Sequence, residues 1–385
     1  MKVFVNRKII LSTIMCLFLF SQLLNGQISH FKNFGIDSKL PNNFIYTLNQ
    51  GDNGFLWVGT GSGLVRFDGF DFYNVPYPDS VNNRYPTASL KDKNGTLWFG
   101  CNDGTVFYAE ENRLRPLTIV NSRSIINLME GTDGLIYIIP QGEALFSVNP
   151  LKHEEIKKCS VDPSLVIFSS CFTPTGNILL GTQENILICR MEIDSLITLE
   201  TIGGFDSNIL AIHQAKGEES FIVGTDGNGL FRLRISPSGN FLSRYRGHPE
   251  LETLRIKSLL EDTDNYLWIS TFDEGIYQIE ISENNGNIKS LQHYDKNTGL
   301  PGQNVKLVFQ DIEGNFWIGF FGNGLSLLNS YAFNYFVPGT DPEENDIIYI
   351  NRISNEYFLG TPSGFHLFDL QNHKTRPFIN LVKKT

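Results

Sequence analysis

Short clusters in this 385-residue chain hold side chains that could grip a ligand: Arg84-Tyr85, Asp226 with Asn228, Phe272-Asp273-Glu274, Gln303-Asn304, and Phe320-Phe321 with Asn323, joined by a lone Arg123. Aromatic faces beside amides and carboxylates suit a sugar, whose C–H faces stack on rings while its hydroxyls need hydrogen-bond partners. The competing reading is solvated loop decoration. Groups for covalent chemistry are sparse, because the chain has no G-x-S-x-G, no G-K-S/T and no H-E-x-x-H. Gly59, Gly61 and Gly63 look like a phosphate cradle, but a strand is expected after them where a dinucleotide fingerprint needs a helix. No cofactor is expected. Cys101, Cys159, Cys171 and Cys189 lack C-x-x-C spacing and the histidines are scattered, so no metal site is expected either. Small buried thiols are the expected state of these cysteines, with one disulfide as the alternative.

Charge narrows the partners. The formal net charge is −10, and Lys2, Arg7 and Lys8, with no acid among the first 26 residues, leave −13 on the remainder. That balance disfavours nucleic acid and, at long range, polyanions in general. The same three cations precede an apolar run over residues 9–24 and then "NGQ", the pattern of a secretory signal peptide cut near Gly26/Gln27. An uncleaved membrane anchor is the alternative, since Leu24 stands where a small residue is preferred. Beyond residue 26 no stretch approaches the ~18 apolar residues of a spanning helix. Export to the periplasm is therefore expected.

The elements that position the clusters follow from a repeat. Trp57, Trp98, Tyr137, Leu179, Ile222, Trp268, Trp317 and Phe358 each sit two residues ahead of a glycine or its stand-in, 39 to 49 residues apart. Glycine-rich units of that period, built of short strands, predict the blades of a β-propeller. In the first unit "FIYTL" is the inner strand, "DNG" a hairpin, "FLWVGT" the second strand, "LVRF" the third and "FDFYNV" the outer one. The tryptophans are expected to pack between blades rather than touch ligand.

The units "FLWVGTGSGLVRFDG", "TLWFGCNDGTVFYAE", "YLWISTFDEGIYQIE" and "NFWIGFFGNGLSLLN", with the approaches "FGIDSKLPNNFIYTL" and "TGLPGQNVKLVFQD", resemble the two-component regulator propeller repeats of Bacteroidetes sensor proteins. The resemblance covers residues 28–370; units three to five lack the tryptophan. It implies a periplasmic sensor that binds an oligosaccharide and controls polysaccharide-utilisation genes. Its implied partners are that ligand and a membrane-bound sensor kinase or a second copy of itself. No kinase, receiver or second membrane helix is recognisable up to Thr385. Two other function classes stand beside this one. "DNGFLW" partly resembles the Asp-box turn of sialidases, and the propeller is similar to that of streptogramin lyases, but Arg84, Arg123 and Tyr85 are too few for a glycosidase centre. A protein-interaction scaffold is the third class.

The all-β fold expected is thus a propeller of four-stranded blades over residues 27–337, with an eighth unit over residues 338–385 that starts a second propeller. The alternative is an eight-bladed ring. "ISHFKNF", ahead of the first unit, is expected to serve as the outer strand of the last blade and close the ring. Loops from outer to next inner strand, and from second to third strand, gather on one face. The candidate clusters all fall in those loops.

Overall fold

The repeats fold as four-stranded antiparallel sheets in a computed structural model. It describes residues 31–328 apart from 80–82, 111–112, 120–122, 143, 193–194, 217–219, 237, 246–247 and 283–286, and residues 347–380 apart from 354–355, 363 and 370–373. The expected signal peptide lies outside the described residues. The chain divides into two units, residues 1–330 and 331–385.

Among the described residues, the first unit holds seven sheets, called blades 1 to 7 below. Their inner strands are Ile45–Gln50, Pro86–Lys91, Ile125–Glu130, Ser169–Phe172, Ile209–Gln214, Ile256–Glu261 and Val305–Gln310. Each touches the next, and the last touches the first, so the ring closes. The join is the expected one. The N-terminal strand Phe31–Phe34 pairs with Leu325–Leu328, Phe31 opposite Leu328 and Phe34 opposite Leu325, and so becomes the outer strand of blade 7. The Phe34 ring stacks on Trp317 at 5.9 Å and meets Phe67 edge-on at 5.3 Å.

The core lies between blades. Side chains alternate faces along a strand, and both faces of each second strand are covered, as in Leu97–Cys101, which is buried throughout. Trp98 therefore packs with Ile125, Ile136 and Phe146 of blade 3, while its neighbours Leu97 and Phe99 pack with Trp57 and Leu64 of blade 1. The tryptophans are masonry, as the repeat predicts.

In three blades a hairpin carboxylate holds this masonry in place. Trp98 Nε1 donates to Asp92 Oδ2 at 2.9 Å, Trp268 Nε1 to Asp262 Oδ2 at 2.8 Å, and Trp317 Nε1 to Asp311 Oδ2 at 2.8 Å. The other oxygen of Asp92 accepts the Asn94 and Thr96 amides, closing the hairpin. Gly95 completes that turn at φ 84°, and Asn265 takes the same left-handed conformation in blade 6 at φ 65°. In blade 1 the position of the aspartate is Gly51, beside the Trp57 indole.

Cys101, Cys159 and Cys189 are buried free thiols and Cys171 is half-buried, in line with the thiol reading. The second unit is a single four-stranded sheet of Tyr349–Ile353, Glu356–Thr361, Gly364–Asp369 and Lys374–Asn380, with Leu359, Leu367 and Phe368 buried.

Candidate ligand-binding site

An irregularity in the inner strands builds the centre of the ring. In blade 1, Ile45 lies opposite Thr60 but Thr47 lies opposite Gly59, so Tyr46 has no partner in the ladder. The same one-residue slip leaves Thr87, Ile126, Leu210, Lys257 and Lys306 unpaired in blades 2, 3, 5, 6 and 7. A bulge of this kind re-aims the extra side chain, and these residues line one central cavity of about 330 Å³. Blade 4 pairs without a slip and contributes Phe168, Ser169 and Ser170 to the wall.

Two of the bulge residues are lysines on adjacent strands. Burial pushes the Lys306 amine down to about 8, and the positive charge of Lys257 adds to the shift. Burial also lowers Lys257; Asp226 opposes that shift and Arg255 adds to it. Burial, with Tyr85 close by, pushes the Tyr46 phenol up to about 12. No carboxylate lines the cavity among the described residues.

Around the mouth of blades 1, 2, 5, 6 and 7, the residue after the second strand bonds back to the residue before the inner strand of the same blade. The amides of Gly61, Asn102, Asp226, Phe272 and Phe321 donate to the carbonyls of Phe44, Tyr85, Asn208, Arg255 and Asn304 at 2.9 to 3.0 Å. The expected gathering of the loops is thus observed, and Tyr85, Asp226, Phe272, Asn304 and Phe321 share one rim. Four rings form a patch on it. Phe44 meets Phe321 at 4.9 Å, Phe321 meets Tyr46 at 5.5 Å, and Tyr46 meets Tyr85 at 4.6 Å between ring centroids. Phe44 and Phe321 are 42% and 40% exposed, which leaves ring surface for a ligand.

The other sequence candidates divide. Asp226 pairs with Arg255 at 2.9 Å, and the Arg255 guanidinium and the Lys257 amine lie 4.3 and 4.2 Å from the Phe272 ring centre. Asn228 donates its side-chain amide to the Phe205 carbonyl, and its own carbonyl accepts from Arg244 at 2.7 Å. Asn323 donates to the Pro301 carbonyl at 3.3 Å, and the Gln303 carbonyl accepts the Gly275 amide at 2.9 Å. Asp273 and Arg123 are exposed. Asn304 keeps its side-chain oxygen buried without a hydrogen-bond partner among the described residues. Two candidates are corrected. Phe320 is the last residue of its strand and points into the core, 0% exposed among Trp268, Tyr294 and Leu300. Arg84 is buried too: it pairs with Asp79 and, at 2.6 Å, with Asp103, and lies 5.5 Å from the Tyr77 ring centre, so it anchors its loop from within.

Sequence reasoning missed Phe44, Tyr46, Arg255, Lys257 and Lys306. A signal was present. "F-I-Y", "R-I-K" and "N-V-K" occupy the same place in blades 1, 6 and 7, a polar or aromatic residue just after the apolar residue that opens the inner strand.

Comparison with known proteins agrees with this architecture. The model of the two component regulator propeller family matches residues 39–62 and 250–273. The chain is 27% identical over 378 residues to histidine kinase P4 of Formosa agariphila, covering 87% of this chain and 26% of that protein. It is similar to the extracellular domain of a putative hybrid two-component system from B. thetaiotaomicron, with a TM-score of 0.65, 18% identity, and coverage of 93% of this chain and 50% of that one. It is also similar to virginiamycin B lyase from Staphylococcus aureus, with a TM-score of 0.60, 14% identity, and coverage of 78% and 99%. The chain thus spans about a quarter of the kinase and half of the solved extracellular domain. Among the described residues no helix is long and apolar enough to cross a membrane.

Proposed function

Given that the chain carries the repeats of the two-component regulator propeller family, we propose that it is the ligand-sensing part of a two-component system, acting in the periplasm. Its ligand is an oligosaccharide, and binding reports to a histidine kinase that controls polysaccharide-utilisation genes. The observation that carries this reading is the patch of Phe44, Tyr46, Tyr85 and Phe321 at the mouth of a central cavity whose wall is rich in hydroxyl groups. Stacking surface beside hydrogen-bonding groups is what sugar recognition requires. The ring binds and does no chemistry. The eighth unit begins a second propeller in this reading.

Calorimetric titration with a glycan library, run with product analysis of the same mixtures, tests the proposal. Saturable heat without product is expected. A new product would make the protein a lyase or glycosidase, and silence across the library would leave a protein-interaction scaffold. Phe321→Ala and Phe44→Ala should each weaken binding by roughly 1–3 kcal/mol, the usual cost of truncating an interface anchor. Full affinity in the double variant would remove the patch from the site. Export is checked separately by N-terminal sequencing of periplasmic material, which should begin near Gln27; an intact Met1 in the cytosolic fraction would refute it.

A further inference from the structure

Lys257 and Lys306 sit on bulges of neighbouring inner strands, and both face the same central cavity of about 330 Å³. Both are half-buried, and lysine is a residue that proteins seldom withdraw from solvent unless paired. Elsewhere in the ring basic groups do find acids: Lys39 with Asp71, Lys91 with Asp52, Arg255 with Asp226. These two cavity amines do not. Among the described residues no carboxylate pairs with either one, although acids outnumber bases 41 to 31 in the chain. The amine of Lys257 rests instead on the face of Phe272.

We propose that this lysine pair is an anion site, and that Lys257 and Lys306 together receive a carboxylate or sulfate carried by the saccharide bound at the rim. The inference rests on the sensing function proposed above and narrows its ligand to acidic glycans. Two amines facing one cavity repel each other, and an anion placed between them relieves that repulsion while making charge-assisted hydrogen bonds to both. Burial holds each amine below the ordinary lysine value, with the Lys257 charge adding to the shift at Lys306 and Asp226 only partly offsetting it at Lys257. The Ser258 hydroxyl lines the same wall and can take up a neighbouring sugar hydroxyl, as can the Ser170 hydroxyl, which accepts from the Asn127 side-chain amide at 3.0 Å and keeps its own proton to donate. The aromatic patch lies directly beside it, because Tyr46 belongs to both wall and patch. The overall negative charge does not oppose this arrangement at contact range. Exposed charges farther away than about 8–10 Å are largely screened at physiological salt, whereas a half-buried pair is screened much less.

The experiment is calorimetry on the mature chain at constant ionic strength with four titrants. They are sodium sulfate, a pool of uronate-bearing oligosaccharides, a pool of sulfated oligosaccharides, and neutral counterparts made by carboxyl reduction and desulfation. The acidic pool that carries the matching group should bind at least tenfold more tightly than its neutral counterpart, and the pool that does so identifies the group as carboxylate or sulfate. Lys306→Met and Lys257→Met should each abolish that preference while keeping a cooperative unfolding transition. Equal binding of acidic and neutral pools, or a preference that survives both substitutions, would overturn the anion site and leave the sensor standing. Binding of sulfate alone, lost in both variants, would uphold the anion site and remove the oligosaccharide. Silence with every titrant would remove both.

Discussion

Trp98→Ala is expected to destabilise the ring by about 3–5 kcal/mol, the cost of truncating a large buried aromatic. The indole is 0% exposed and fills the gap between blades 2 and 3, with Tyr108 and His153 each 5.5 Å away between ring centroids. Asp92→Ala should cost about 2–4 kcal/mol without removing any apolar contact. It strands the indole N–H and the two hairpin amides that the carboxylate accepts, and each stranded buried donor costs about 1–3 kcal/mol, less where water enters the turn. Trp98→Phe keeps a ring but has no N–H to strand. In that background Asp92→Ala should cost about 1 kcal/mol less, a coupling that a double-mutant cycle in urea would measure. An unchanged urea midpoint in Trp98→Ala would mean that the indole does not fill the gap between blades.

Lys306→Met should act in the opposite direction and stabilise the protein at neutral pH. The native amine titrates near 8, below the ordinary lysine value of 10.5. Between those two pH values the unfolded chain holds a proton that the native chain has released, so native stability rises as pH increases through that window. Below pH 8 the whole penalty is present, and a shift of this size corresponds to about 3 kcal/mol. The only charge that adds to it is on Lys257; no carboxylate lines the cavity among the described residues, and Tyr46, held up at about 12, stays neutral across the window. Lys306→Met should therefore exceed the parent by up to about 3 kcal/mol at pH 7, with the gap closing as pH rises to 10.5. Urea midpoints of both proteins at pH 7 and pH 10 provide the check. A gap that does not change with pH would show that Lys306 is solvated in the native state.

The period, the four strands of a unit and the closing role of "FKNF" were all legible in the sequence, because each is written in local chemistry. Tryptophan two residues before glycine marks the second strand, and a turn glycine at positive φ marks the hairpin, as Trp98 and Gly95 illustrate. The site was only half legible. Loop position alone placed Tyr85 and Phe321 on the rim, but it could not separate Phe321 from Phe320, since one residue at the end of a strand decides between solvent and core. Arg84 reads as a rim cation until Asp103 and the Tyr77 ring, distant in the loop scheme, are seen to enclose it. The lysines were hidden for another reason. A bulge is a property of two paired strands, and the inner strand alone does not reveal that its second residue has left the ladder.

The closing strand also sets the order in which the molecule can assemble. Inner strands make their main contacts with their neighbours around the ring, so blades 1 to 6 can form one after another as the chain emerges. Blade 7 cannot be completed that way. Among the described residues its outer strand is the first strand made and its other three are the last of the unit, so joining Phe31–Phe34 to Leu325–Leu328 means closing a loop that contains nearly the whole ring. For a loop of that length the length-dependent part of the closure entropy is about 5 kcal/mol. Part of that cost falls away if the intervening blades have already formed and curve the two ends together. Closure is then a late event that fastens a nearly finished arc, and a chain halted before Leu325 remains an open arc whose two free edges are unpaired.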